Sequence, residues 1–252
     1  MPQKQRLTTK EFWTQENPNF EFQRHNGHAI YDLIKKYIPA NEHGSCLEIG
    51  SFPGPFLSFF GDLGYTLNGI DFHPKNEIDL PAWLKSEGYK VDEFRTIDFF
   101  EYTTIRKFDV VASFGFIEHF QNYKEVILQH ADLVDDNGYL IITTPNFRGV
   151  LQKWLHKTYD KTNLSLHNLD SMQPQLWASL LAENGFDVKY KGFFGGFQFW
   201  RSIEEMSVFK KKSLWIIERV LQRLRKILWF QSPSFSCYGG VVAKRTTAKK
   251  LS

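Results

Sequence analysis

Apolar residues recur along the chain in two rhythms. Ala29, Ile30, Leu33, Ile34 and Ile38 fall three or four positions apart before Pro39, which predicts an entry helix. Beyond it, short apolar runs alternate with amphipathic stretches. Strands are predicted near 45–50, 66–71 and 92–98, with helices near 55–63 and 80–87 between them. The alternation resumes with a strand at 108–114, a helix from about 118 to 133 and a strand at 139–144. Asp136-Asn137-Gly138 predicts a turn and Pro145-Asn146 a strand end, while Gly185 suits a left-handed cap on a helix from Ser171 to Asn184. A strand at 186–194, a helical stretch near 203–230 and a last strand from Ser236 to Lys244 complete the series. Strand and helix in turn build a parallel sheet covered on both faces.

Composition narrows the class. The 252 residues, 42% hydrophobic and 16% aromatic, suffice for one large domain with appendages. A net charge of +3, with the surplus gathered toward the carboxyl terminus, is too mild for a nucleic-acid footprint. Cys46 and Cys237 offer neither a disulfide framework nor a metal knot, so no metal is predicted and a reducing, cytoplasmic setting is expected. The first residues lack the apolar core of a signal peptide, and no apolar stretch is long enough to span a bilayer.

The densest chemistry lies at the end of the first predicted strand. Gly50-Ser51-Phe52-Pro53-Gly54 permits close backbone approach to a ligand, and Pro55 suits a first helical turn. Asp71, 21 residues beyond Gly50, ends the next strand, where it is placed to accept hydrogen bonds from ribose hydroxyls. The pair predicts a nucleoside site. A dinucleotide loop would need glycine where Phe52 and Pro55 stand, and the one clear Tyr-x-x-x-Lys pair, Tyr31 to Lys35, precedes the turn, so a nicotinamide site is disfavoured. Glu48 at the floor of the turn suits a ligand carrying a cationic amine and sulfonium.

Four segments in order resemble the class I S-adenosylmethionine-dependent methyltransferases, in particular the small-molecule enzymes of types 11, 12 and 23. Leu47 to Gly54 is similar to their glycine-rich loop, with Phe52 replacing the usual middle glycine, and Gly69-Ile70-Asp71 to their second strand. Thr96-Ile97-Asp98-Phe99 is similar to the segment whose acid binds the adenine amine, and Phe116-Ile117-Glu118-His119-Phe120 to the Glu-His segment after the fourth strand, Phe108 to Ser113. Gly138 to Asn146 resembles the fifth strand. The resemblance implies a Rossmann-like α/β fold: a seven-stranded, mostly parallel sheet flanked by helices, its last strand antiparallel. It further implies S-adenosyl-L-methionine as cofactor, contacted by Glu48, Gly50, Ser51, Gly54, Asp71, Phe72, Asp98, Phe99, Ser113 and Glu118. The organisation expected is a lid segment and helix at 1–40, a cofactor-binding core at 41–202, a helical insertion at 203–231, and a last strand with a basic tail at 232–252.

Methyl transfer asks mainly for alignment of the nucleophile and exclusion of water. His119 is a candidate base or acceptor-orienting group, unless Glu118 merely caps a helix and His119 packs beneath the cofactor. His167, after the fifth strand, is a candidate second catalytic residue lining the acceptor pocket, unless it belongs to a polar turn. Leu214, Ile217, Leu221, Leu224 and Leu228, interleaved with Arg219, Arg223, Arg225 and Lys226 and flanked by Trp215 and Trp229, predict a basic amphipathic helix. That helix is expected to pack on the domain, to pair with a second subunit, or to touch an anionic membrane through 213–230. The acceptor expected is a small or lipid-linked sugar, glycan intermediate or phenol. Ser113-Phe114-Gly115-Phe116 stands where base-amine methyltransferases carry Asn-Pro-Pro-Tyr, which speaks against nucleic acid. An inactive scaffold that docks through the basic helix is the competing expectation.

Overall fold

A computed structural model describes residues 5–15, 22–24, 27–199, 206–225 and 231–247. After helices α1 (Lys10–Gln15) and α2 (Ala29–Tyr37), strand β1 (Ser45–Ile49) leads through α3 (Leu57–Asp62) to β2 (Thr66–Asp71), and α4 (Asp79–Ser86) leads to β3 (Val91–Thr96). The chain returns to β4 (Phe108–Phe114), α5 (Tyr123–Asp132) and β5 (Val134–Pro145). Helices α6 (Val150–Tyr159), α7 (Lys161–Ser165) and α8 (Pro174–Glu183) follow, then β6 (Phe186–Phe194), α9 (Val208–Arg225) and β7 (Tyr238–Arg245).

The sheet order is β3-β2-β1-β4-β5-β7-β6. β7 runs antiparallel to both β5 and β6, and the remaining strand pairs are parallel. This is the predicted seven-stranded arrangement with an antiparallel last strand. Its packing follows from period-two alternation. Leu47, Ile49, Val111, Leu140 and Ile142 point to one face, where Val126 and Ile127 of α5 and Trp177 and Leu181 of α8 cover them. Cys46, Leu67, Val110, Ala112 and Ile141 point to the other, under Ile30 and Ile34 of α2, Phe60 of α3 and Leu80 and Leu84 of α4. Because β1 lies between β2 and β4, the chain reverses its winding there, and a crevice opens at the carboxyl ends of these strands.

Several boundaries differ from the pattern. The 118–133 helix begins only at Tyr123: Ile117–His119 form a single tight turn, and Phe120 is extended because it bridges to Arg6. Pro55 lies outside α3, whose cap is Phe56, since Gly50 and Gly54 at φ of +75° and +84° keep the segment turning. Asn137, at φ +62°, makes the predicted turn inside β5 as an irregularity in its register against β4. α6 is not evident in the pattern, because its buried stripe includes Gln152 and His156. It supports α9, whose Leu214 is buried against Leu155 and Tyr159, with Ile217 and Leu221 beside it. Leu228, Trp229, Lys226 and positions 203–205 fall outside the described residues, as does the tail from 248.

Candidate active site

A cavity of about 140 Å³ lies in the crevice, bordered by Gly50, Phe52, Asp71, Phe72, Phe99 and His119 among others. Five of the predicted site residues therefore meet there: Gly50, Asp71, Phe72, Phe99 and His119. The other seven take supporting places.

The turn explains most of that division. Gly50 needs its positive φ, and a Cβ there would sit 3.0 Å from the Phe116 ring, so glycine keeps the cavity floor open. Gly54 faces away, and a Cβ on it would stand 2.3 Å from Leu80 Cδ1. Ser51 is buried and donates to Asn76 Oδ1 at 2.7 Å, an approach that the bare Gly69 permits. Phe52, in the place of a glycine, stacks on His73 with ring centroids 3.8 Å apart. Glu48 is buried, its Oε2 has no hydrogen-bond partner among the described residues, and burial together with the Asp71 charge pushes its pKa well above the usual carboxylate range. Ser113 is likewise buried, its hydroxyl without a hydrogen-bond partner among the described residues.

Asp71 is aimed by the main chain. The N–H groups of His73 and Phe52 donate to its two oxygens at 2.7 and 3.1 Å. Burial nevertheless raises its pKa to about 6, against the lowering effect of those bonds. Asp98, expected at the adenine amine, does not border the cavity. It pairs with the Arg6 guanidinium and accepts from the Phe100 N–H at 2.9 Å. Arg6 itself lies over the rings of Phe72, Phe100 and Phe120, 4.7 to 5.4 Å from their centroids.

The opposite wall is made by segments remote in sequence. Leu7 N–H donates to the His119 carbonyl at 2.9 Å, and this ladder carries Arg6, Thr8 and Trp13 to the cavity border. The Trp13 ring meets His119 edge-on at 4.9 Å. His119 Nδ1 lies 2.9 Å from the Leu166 carbonyl, and burial lowers its pKa to about 3, well below the near-neutral value that suits a base. His167 stays outside the cavity border, its ring 4.6 Å from that of His119, with its pKa lowered to about 4 by burial. Glu118 is buried and its pKa is raised to about 8 by desolvation. Arg6, Thr8 and Trp13 carry no periodic signal, since a long-range bridge rather than local spacing places them.

Comparison with known proteins sharpens this picture. Residues 22–191 match the family model described as a methyltransferase domain. No curated protein sequence matches the chain. A SAM-dependent methyltransferase from Archaeoglobus fulgidus is 20% identical, with 86% of this chain and 93% of that chain covered at a TM-score of 0.54. The magnesium protoporphyrin IX methyltransferase of Synechocystis, solved with bound S-adenosylhomocysteine, is 13% identical over 94% and 93% of the two chains at 0.52. The [4+2]-cyclase SpnF is also similar, 11% identical over 89% of each chain at 0.54, so the shared architecture by itself prescribes no reaction.

Proposed function

The chain belongs to the methyltransferase-domain family that its residues 22–191 match, and from that premise we propose that its acceptor is a hydroxyl on a sugar, glycan intermediate or phenol, free or lipid-linked. It is a methyltransferase that depends on S-adenosyl-L-methionine, whose sulfonium supplies an electrophilic methyl group. The residues present fit that cofactor. The orphaned, buried Glu48 Oε2 calls for a cationic partner, and Gly50 with Gly115, both at positive φ, leaves a main-chain cradle that side chains would fill. In this reading Asp71 accepts from the ribose hydroxyls, Phe72 and Phe99 flank the base, and Glu48 balances the amine.

One observation carries the oxygen acceptor. Among the described residues bordering the cavity Asp71 is the only carboxylate, and the wall opposite it offers Trp13, Phe116, Phe120, Thr8 and a neutral His119. Such a wall suits an uncharged ring bearing hydroxyls, whereas a cationic amine would need a second acid. His119 then stands beside the hydroxyl, and Trp13 with Phe116 excludes water. Incubation with labelled S-adenosylmethionine and a panel of phenols, free sugars, isoprenoid-linked sugars and amines tests this. Label in the first three classes supports it, and label confined to amines overturns it.

The lipid-linked form of the acceptor has its own support. No described helix is long and apolar enough to cross a membrane. α9, however, leaves Trp215, Ile216, Val220 and Leu224 exposed beside Lys210, Lys211, Lys212, Arg219 and Arg223, a mixture suited to an anionic lipid surface. The same face suits the competing reading, an inactive scaffold that docks there. Cosedimentation with anionic vesicles, with turnover measured on the same preparation, separates the two: binding without turnover of any acceptor favours the scaffold.

A further inference from the structure

Behind His119 stands a cluster that cofactor binding does not use. Glu118 and His119 leave the tight turn after β4, and His167 comes from the loop after α7. One donor atom from each lies within 4.8 Å of the others. Donors about 2.1 Å from a tetrahedral ion stand roughly 3.4 Å apart, so modest side-chain rotation closes the set.

Both imidazoles are oriented as metal ligands usually are. A carbonyl can only accept, so His119 Nδ1 donates to Leu166 O at 2.9 Å and His167 Nδ1 donates to Asn163 O at 2.6 Å. In each ring this leaves the lone pair on Nε2. Asn163 is itself fixed, its side-chain amide donating to Asp160 Oδ2 at 3.0 Å, and His156 Nδ1 lies 3.1 Å from the same oxygen. The Glu118 carboxyl, 1% exposed, has an Oε2 with no hydrogen-bond partner among the described residues.

We propose that Glu118, His119 and His167 form a mononuclear site for a divalent transition-metal ion of the zinc class, at the edge of the cavity that His119 borders. Two imidazoles and one carboxylate are the donor set for such an ion, and three protein ligands leave room for an exogenous oxygen. The ion compensates the buried Glu118 charge. Its role rests on the hydroxyl-acceptor reading above. An acceptor hydroxyl on the open position releases its proton to solvent and its oxygen forms the new O–C bond. The electron pair of the broken S–C bond stays on sulfur, leaving a neutral thioether.

The test uses the full chain without a histidine tag, stripped with chelator and dialysed. Zn²⁺ is titrated by calorimetry and Co²⁺ by visible absorption, with S-adenosylhomocysteine affinity and thermal melting measured on every sample. About one equivalent is expected to bind at micromolar Kd or tighter, with Co²⁺ bands typical of low coordination number. Glu118→Gln and His167→Ala should each weaken binding by about a hundredfold or more. His167→Ala, on a loop outside the cavity border, should keep its melting point and its S-adenosylhomocysteine affinity. Absence of a bound equivalent, or affinity unchanged in both variants, overturns the site. Failure of the cofactor reading is distinguishable, because it would appear as lost S-adenosylhomocysteine binding with metal binding intact.

Discussion

The two walls of the cavity are built in different ways. The wall carrying Gly50, Phe52, Asp71, Phe72 and Phe99 comes from adjacent strand ends, and main-chain N–H groups two and nineteen residues away aim its carboxylate. The wall carrying Thr8, Trp13, His119 and Phe120 joins the amino-terminal segment to the turn after β4 through a bridge between Arg6 and Phe120. A nucleoside can be held by turn geometry, which local spacing dictates. The side chains of the second wall are brought together only by the folded chain, and in the function proposed above they are the ones that face the acceptor.

Substitutions on the first wall and in the glycine turn behind it should have the largest effects. If Asp71 accepts from the ribose hydroxyls as proposed, Asp71→Ala should weaken S-adenosylhomocysteine by about a hundredfold, or ~3 kcal/mol, in calorimetry. Full affinity in that variant would break the contrast. Gly54→Ala drives a Cβ to 2.3 Å from Leu80 Cδ1 at a φ of +84°, and a loss of ~3 kcal/mol should appear in denaturant unfolding.

A pH titration sharpens the same wall. Asp71, with its pKa raised to about 6, accepts from two hydroxyls only when ionised, so affinity should be full above that pH and about tenfold lower at pH 5 than at pH 7. For folding the sign is opposite. The folded state holds this proton more tightly than the unfolded chain, so the Asp71 contribution to stability is present at low pH and is lost as pH rises through about 6.

On the second wall, Trp13→Ala should raise the acceptor KM by about tenfold, the worth of one ring stack, and leave the cofactor Kd unchanged. A cofactor effect of equal size would mean that the walls are not separable. The smallest expected change is that of Trp215→Ser on the exposed face of α9, within ~0.5 kcal/mol in stability, while vesicle binding falls.

What was legible follows from how far apart the interacting residues lie. β4 and β6 occupy their predicted spans, since apolar runs bounded by turn residues are local facts. The start of α5 was not legible, because the competitor for Phe120 is a strand-like bridge to Arg6, over a hundred positions away. Nor was α6, whose buried face includes Gln152 and His156 and so lacks an apolar stripe. Phe52 is absorbed by stacking on His73, a contact that no spacing rule foresees.

By itself the sequence determined the alternation that builds a parallel sheet and the glycine turn with Asp71 beyond it, because short apolar runs and turn residues are written residue by residue, whereas the antiparallel last strand followed only from the resemblance to a known family. Only the tertiary structure decided that Asp98 is held by Arg6 rather than facing the cavity, and that burial strips His119 of its basicity. It alone gathers Glu118, His119 and His167 around one point. Desolvation and donor geometry depend on what surrounds a side chain in space, and the linear order of residues does not contain that.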